Sequence, residues 1–257
     1  MRWFNFLKKR TIQQERDFAL YDTHSHILWG VDDGASQIED SVAFLKAYAR
    51  LGYQGVVATP HLNHWMFETF PFDVYEARLA SISSDMEKEG VTVKIGGEVM
   101  CRDDFVSGFD RGLFLGVGDT WLVEFENRPG LFTPALEQMV FNFRMANRTL
   151  ILAHPERYGD VQKNPSILLS LKERGMLMQI NLGSLVGKNG HRARQLAWMF
   201  VDNGMADLAA TDVHRLSDFS IIESALERLA YHNPEKFRSL VNENPGHVFN
   251  GQSYRIA

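Results

Sequence analysis

The sequence DTHSH at residues 22–26, followed by DDG at residues 32–34, decides how this chain folds. The apolar character of residues 18–21, which precede it, indicates a short buried strand. Side chains two residues apart on a strand lie on the same face, so His24 and His26 should project together. Two imidazoles on one rigid face form half of a binding site for a transition metal.

Six further strands are predicted downstream, separated by helical segments. They comprise residues 55–59, 91–97, 121–123, 149–153, 176–181 and 207–211. Strands that alternate with helices favour parallel strands joined by crossovers. Every predicted strand except 176–181 is followed closely by a His, Glu or Asp. A closed barrel brings all strand ends to one opening, whereas an open sheet gathers its site at one switch point. We therefore expect an α/β fold built as a seven-stranded (β/α)7 barrel.

Length and composition are those of a single globular domain. The chain has 257 residues, near the size of about 250 that is typical of one α/β barrel. Its formal net charge of −5 disfavours a nucleic-acid partner, because such proteins neutralise many phosphates. We expect residues 1–17 to form a basic N-terminal arm and residues 18–257 to form the domain. No apolar run is long enough to span a bilayer. The lone Cys101 fits a reducing, cytoplasmic location.

The residues near the predicted strand ends form a set of metal-ligand types. The candidate ligands are His24, His26, Asp33, His61, Glu98, Glu124, His154, Asp212 and His214. One zinc ion needs only three or four protein ligands, so nine suit two or three ions. Clustered cations would lower the pKa of a bound water and would neutralise a phosphate dianion. Residue chemistry alone therefore predicts metal-assisted hydrolysis by an activated hydroxide, with phosphate esters as the natural substrate.

Two of these ligands have a competing neighbour in the sequence. Asp33 is adjacent to Asp32, either of which could point inward, and the Asp-Asp-Gly run is also a common turn signal. Glu124 shares its predicted strand face with Glu126. We expect Asp33 and Glu124 to be the ligands.

Arg157 lies three residues beyond His154 and could hold phosphate oxygens through its guanidinium group. The alternative is an ordinary salt bridge with Glu156 or Asp160. Cys101 lacks the Cys-x5-Arg spacing of thiol phosphatases, which argues against a cysteinyl-phosphate intermediate.

With these residues in place, the chain resembles the polymerase and histidinol phosphatase (PHP) superfamily, and within it the bacterial protein-tyrosine phosphatases of capsule and exopolysaccharide loci. The motifs that carry the resemblance are DTHSHILWGVDDGA, ATPH, GGEV, LVEFE, AHPERY, QINLGSL and ATDVH, which run from residue 22 almost to the C-terminus. The resemblance implies a distorted seven-stranded barrel of the PHP type and three metal ions, commonly Mn, Fe, Zn or Mg.

The resemblance also implies how the ligands are shared. One ion would be held by His24, His26, Glu98 and Asp212. A second would be held by Glu98, Glu124 and His154, with Glu98 as the bridge. A third would be held by Asp33, His61 and His214. Arg157 matches the arginine of the family that contacts phosphate.

We therefore expect a metal-dependent protein-tyrosine phosphatase with Arg157, Asp33 and His214 as its catalytic residues. Asp33 or a bound water would protonate the leaving tyrosinate. The resemblance implies as partner the phosphotyrosine tail of a membrane tyrosine kinase that regulates polysaccharide export. Two alternatives remain open: a phosphatase of small molecules such as histidinol phosphate, and a non-catalytic scaffold that retains metals for stability. The oligomeric state is not predicted.

Overall fold

The computed structural model describes residues 17–62, 72–101, 116–127, 129–130 and 132–252. The predicted N-terminal arm, residues 1–17, lies outside these ranges except for Asp17. The described strands are β1 (Leu20–Ser25), β2 (Tyr53–Ala58), β3 (His61–Leu62), β4 (Thr92–Ile95), β5 (Glu98–Cys101), β6 (Thr120–Phe125), β7 (Thr149–Ala153), β8 (Leu177–Asn181) and β9 (Leu208–Ala210).

Helical segments connect most of these strands. The described α-helices are α1 (Ile38–Leu51), α2 (Phe72–Ser81), α3 (Ser83–Glu89), α4 (Pro134–Met145), α5 (Gly159–Lys163), α6 (Leu168–Glu173), α7 (Leu182–Leu185), α8 (His191–Asp202), α9 (Asp218–His232), α10 (Pro234–Arg238) and α11 (Asn244–Phe249). Short 3-10 turns at Pro155–Arg157 and Pro165–Ile167 and a π-helical turn at Ser239–Glu243 complete them. Helix α1 ends where Gly52 adopts a left-handed φ of 86°.

All named strand pairs are parallel, and the described strands form two sheets. One sheet has the order β1-β2-β4, and the other has the order β3-β5-β6-β7-β8-β9. The fold is therefore mixed α/β with parallel sheets, and these ladders do not close into one barrel. The predicted strands 55–59 and 91–97 correspond to β2 and β4, and each is followed by a further short strand, β3 or β5, that was not predicted. Between β2 and β3 lies Pro60, which has no N–H to donate.

The two sheets meet along the line between β1 and β9. An isolated parallel bridge joins Ser25 to Val213 there. The buried carboxylate of Asp22 accepts the backbone N–H of His24 at 3.3 Å and that of Thr211 at 3.0 Å. It also accepts the hydroxyl of Tyr48 at 2.7 Å. One side chain therefore holds the carboxyl ends of both strands together.

Successive side chains along each strand point alternately into two apolar layers, as expected for strands. A small inner cluster consists of Leu122, Ile151, Ala153, Leu177, Leu208 and Val248. Their strand neighbours, such as Val123, Leu150 and Leu152, face a larger cluster beneath the helices. Among the residues described, no helix combines the length and apolar character that a bilayer crossing requires.

Candidate metal centre

Four predicted ligands meet at the carboxyl ends of the strands. His24 Nε2 lies 3.3 Å from His26 Nε2, 3.1 Å from Glu98 Oε2 and 3.4 Å from Asp212 Oδ1. His26 Nε2 lies 3.5 Å from Glu98 and 3.4 Å from Asp212. Donor atoms held at roughly 2.1 Å around one tetrahedral ion are separated by about 3.4 Å. His24, His26 and Asp212 therefore fit a divalent cation, and Glu98 lies beside both histidines.

The other oxygen of Glu98 belongs to a second group. Glu98 Oε1 lies 3.0 Å from His154 Nε2, and Glu124 Oε2 lies 3.8 Å from the same nitrogen. His61 also takes part, because its Nδ1 is 3.2 Å from Glu98 and 3.1 Å from Glu124. Glu98 thus faces both groups, as a bridging carboxylate must.

The third group lies nearer to solvent. Asp33 Oδ1 is 3.4 Å from His61 Nε2 and 3.3 Å from His214 Nε2. The ring of His26 stacks on His214 with 3.9 Å between the centroids. His26, Asp33, His61 and His214 together offer ligand atoms close enough for one ion. His61 therefore presents one nitrogen to each of two groups, which the sequence pattern did not predict.

In each of the two pairs of neighbouring acidic residues, Asp32/Asp33 and Glu124/Glu126, the two side chains occupy different positions. Asp32 is turned inward and contacts His26 Nδ1 at 2.7 Å, whereas Asp33 is 69% exposed at the rim. Glu124 is buried beside His61 and His154, and Glu126 is only partly buried. The structure thus brings Asp33 and Glu124 into the groups of candidate ligands, and it places Asp32 in contact with the ring of His26.

The charges of this centre are set by its own carboxylates. Burial would raise the pKa of Glu98, but the neighbouring His24 and His154 hold it well below its usual range. The pKa of Asp212 is lowered in the same way by His24 and His26. Burial would lower the pKa of His61, but hydrogen bonds with Glu124 and Glu98 raise it to about 10. In the metal-free protein, the added proton on His61 therefore compensates part of the negative charge of these carboxylates. A cation that binds here must displace this proton.

Two of the candidate ligands have unusual backbone conformations. His154 has a φ of 37° and Asp212 a φ of 48°, both in the left-handed region. Such conformations are costly for residues with a Cβ and persist only where surrounding contacts enforce them. Asp212 is held by the hydrogen bond from its N–H to the carbonyl of His24 at 2.9 Å. Backbone strain thus coincides with the ends of β7 and β9.

Strand β8 contributes polar side chains that sequence analysis missed. Gln179 lies 2.8 Å from His24 Nδ1 through its amide nitrogen, and its oxygen accepts the hydroxyl of Thr23 at 2.8 Å. Asn181 donates to Asp212. A signal was present, because Gln179 and Asn181 alternate with apolar residues in a strand predicted to be buried. Neither is a metal-ligand type, so the search for His, Asp and Glu passed over them.

Arg157 lies beside the candidate metal centre. It forms no salt bridge with Glu156 or Asp160, the partners of the alternative interpretation. Its guanidinium donates to Asp212 Oδ2 at 3.1 Å and remains 44% exposed. Glu156 is buried and accepts from Asn181 and Ser184 instead. Arg157 is therefore at the rim, close enough to reach a group bound over the cluster.

Gly34 allows the loop carrying Asp33 to fold against His26. A Cβ at this position would lie 2.2 Å from the carbonyl oxygen of His26 and 2.4 Å from its Cβ. We expect Gly34→Ala to displace this loop, reduce the free energy of unfolding by about 1–3 kcal/mol, and weaken manganese binding. Urea denaturation and manganese titration would measure both. Gly159→Ala is the control, because its Cβ would meet Asn127 at an ordinary 3.5 Å. Unchanged values for Gly34→Ala would contradict this account.

The chain is similar over most of its length to proteins named as tyrosine phosphatases. A family model described as capsular polysaccharide synthesis, CpsB/CapC, matches residues 20–250. Tyrosine-protein phosphatase YwqE of Bacillus subtilis is 28% identical over 199 residues, which are 77% of this chain and 78% of that protein. Tyrosine-protein phosphatase CpsB of Streptococcus pneumoniae is 25% identical over 244 residues, 91% of this chain and 99% of that protein.

Solved structures share the architecture. A chain from crystal structures of YwqE and CpsB, described as unique metal-dependent tyrosine phosphatases, has a TM-score of 0.81 at 24% identity. The match covers 92% of this chain and 96% of that one. A histidinol phosphate phosphatase from Lactococcus lactis, solved with zinc, L-histidinol and phosphate, has a TM-score of 0.51 at 12% identity and covers 81% and 93%. At these identities the likenesses establish the fold alone.

Proposed function

The chain belongs to the CpsB/CapC family of capsular polysaccharide synthesis, and from that premise we propose that it is a metal-dependent protein-tyrosine phosphatase. The observation that carries the proposal is the meeting of nine ligand side chains, from six strand ends, beside one half-exposed arginine. The relatives named tyrosine-protein phosphatases support the same activity.

The ligand groups suit three divalent cations, with Mn, Fe, Zn or Mg as the candidate metals. His24, His26, Glu98 and Asp212 would hold the first, and Glu98, Glu124 and His154 would hold the second. Asp33, His61 and His214 would hold the third. Bound cations supply a water of lowered pKa and neutralise the charge that develops on the phosphoryl group.

The chain's own residues orient the substrate and manage its protons. Arg157, which contacts Asp212 through NH1 alone, turns toward the phosphoryl oxygens and donates two hydrogen bonds to them. The P–O bond to the tyrosyl oxygen breaks as a water oxygen bonds to phosphorus. Asp33 at the exposed rim, or a water beside it, gives a proton to the leaving tyrosyl oxygen, and the proton that the attacking water loses replaces it. His214 contacts Asp33 Oδ1 at 3.3 Å and holds it in place. No cysteinyl phosphoenzyme forms, because Cys101, the one cysteine of the sequence, is buried in the large apolar cluster.

We propose as substrate the phosphotyrosine tail of a membrane tyrosine kinase that regulates capsule or exopolysaccharide synthesis. The family description supports the process, and an exposed rim at Asp33 and Arg157 suits a flexible tail. Action in the cytoplasm follows from this choice, because ATP-dependent kinases phosphorylate their tails there. Residues 18–257 would act as one phosphatase domain.

We further infer that the described strands are seven barrel strands, two of them interrupted. Only two residues separate β2 from β3 and β4 from β5. Backbone hydrogen bonds continue beside these gaps, from Gly96 N to Ala58 O at 2.8 Å and from Glu98 N to Pro60 O at 3.1 Å. The bridge between Ser25 and Val213 is the seam of this barrel.

The experiment that tests the function compares two substrates and two metal states. Phosphate release would be measured from a phosphotyrosine peptide and from histidinol phosphate, with chelated and manganese-reconstituted protein. We expect metal-dependent release from the peptide. Release from histidinol phosphate alone would place the enzyme in small-molecule metabolism. Absence of metal-dependent release from either would leave a scaffold that retains metals and would refute the phosphatase.

Replacing Arg157 should weaken substrate binding more than it slows the chemical step. Charge-assisted hydrogen bonds contribute about 1.5–3 kcal/mol, so we expect Arg157→Ala to raise KM for the peptide by roughly 10- to 100-fold. Steady-state kinetics would measure the split between KM and kcat. Arg192→Ala is the control, because that guanidinium donates to the carbonyl of Gln162 on the surface. An unchanged KM would exclude phosphate binding by Arg157.

A further inference from the structure

Asp212 uses its two oxygens differently. Oδ1 faces the cluster, 3.4 Å from both His24 Nε2 and His26 Nε2. Oδ2 points away from the cluster and accepts two hydrogen bonds, from Asn181 Nδ2 at 2.6 Å and from Arg157 NH1 at 3.1 Å. The carboxylate plane is therefore fixed from the side opposite to the candidate metal.

The two donors to Oδ2 are not equivalent. Arg157 is 44% exposed and is the group proposed to turn toward phosphate, whereas Asn181 is 3% exposed. Asn181 is also fixed by its backbone, because its N–H donates to the buried carboxylate of Glu156 at 3.0 Å. Glu156 is held in turn by the hydroxyl of Ser184 at 2.7 Å. Asn181 thus remains in place when Arg157 moves.

We propose that Asn181 is a positioning residue that keeps Oδ1 of Asp212 directed at the metal and so frees Arg157 to bind phosphate. This inference rests on the proposed metal-dependent phosphatase. It assigns a function to the one predicted strand that supplies no ligand. Without Asn181, Asp212 can rotate or hold Arg157 as its only partner on Oδ2, and both outcomes weaken the centre.

The geometry of Asp212 makes this support necessary. Asp212 has a left-handed backbone conformation, which is intrinsically unfavourable for a residue with a side chain, so neighbouring contacts must hold it in place. Side chains that orient a ligand from behind commonly change metal affinity or activity by about 10- to 100-fold when removed. The effect should therefore appear in metal binding, before any assay of turnover.

The test is a manganese titration of the metal-free full-length protein, followed by electron paramagnetic resonance of free and bound Mn²⁺. Asn181→Leu removes the donor at similar volume, and Asn181→Ala removes it and leaves space. We expect both to bind Mn²⁺ about 10- to 100-fold more weakly at one site and to alter the bound spectrum. Asn242→Leu is the matched control, because it removes an amide donor to the carbonyl of Ala19 at 2.6 Å without touching Asp212 or Glu156, and its affinity should be that of the wild type.

The outcomes separate the inference from the function beneath it. If wild-type protein binds no Mn²⁺, the proposed metal centre itself fails. If wild-type protein binds Mn²⁺ and both Asn181 variants match it within twofold while melting at lower temperature, Asn181 is only structural and the inference is overturned. A weakened affinity in Asn242→Leu equal to that of Asn181→Leu would overturn it too, since a general loss of stability would then suffice.

Discussion

Replacing Glu98 with glutamine is expected to lower kcat/KM for a phosphotyrosine peptide by on the order of 10³-fold or more. Glu98 is fully buried, and its two oxygens face two different ligand groups, toward His24 on one side and His154 on the other. Glutamine keeps the shape but offers one oxygen and no charge. Both groups should therefore lose metal affinity together. Metal analysis of the purified variant should accordingly find fewer ions per chain than in the wild type.

A surface glutamate provides the matched control for this variant. Glu223 forms an exposed pair with Arg50 at 2.9 Å, far along the chain from the cluster. Glu223→Gln should retain the activity and metal content of the wild type, because exposed ion pairs contribute little. If Glu98→Gln kept activity within tenfold of the wild type, the bridging role of Glu98 would be wrong.

Removing bound ions is expected to lower the melting temperature, and the loss should grow as pH rises. Burial would lower the pKa of His61, but Glu124 and Glu98 raise it to about 10, above the ordinary value of about 6.5. A histidine with a raised folded pKa stabilises the fold at low pH, and this contribution disappears as pH rises toward the folded pKa. The metal-free protein should therefore lose stability from about pH 6.5 toward pH 10.

Ion-loaded protein should not share this loss, because a cation occupies the place of the proton. Each ion present at 100 times its Kd adds about 2.7 kcal/mol, or roughly 5–11 °C for a chain of this size. Thermal unfolding of chelated and manganese-loaded protein at several pH values would measure the difference. Calcium, which prefers oxygen ligands, should raise the melting temperature less. A manganese effect that shrinks with rising pH would contradict this reasoning.

Part of the candidate site was predictable because strand geometry is local. Residues two apart share a face, so the sequence alone indicated that His24 and His26 would lie together. The sequence could not decide between Asp32 and Asp33, because the direction of adjacent side chains on a turn depends on how the loop packs. In the fold, Asp32 packs against His26, and Asp33 lies at the exposed rim beside His61. The double contact of His61 was not predictable, since it depends on where two neighbouring strands end.

The strand divisions also lay beyond local patterns. An apolar run predicts a strand, but whether it pairs continuously depends on its neighbour. β2 and β4 end next to one another, at Ala58 and Ile95, and β3 and β5 begin after a gap of two residues. The described part of the chain therefore contains nine strands where seven were predicted. Gln179 and Asn181 were not predicted for a related reason. Their importance depends on contacts with His24 and Asp212, which are distant in the sequence.

The left-handed backbone at His154 and Asp212 has a consequence for engineering this protein. Glycine adopts such a conformation without steric cost, so His154→Gly and Asp212→Gly would relieve backbone strain at both strand ends. Each would also delete a donor from the cluster. In metal-free protein, a selection for thermal tolerance alone would therefore favour loss of these two candidate ligands, whereas bound ions would oppose that loss by stabilising the folded chain.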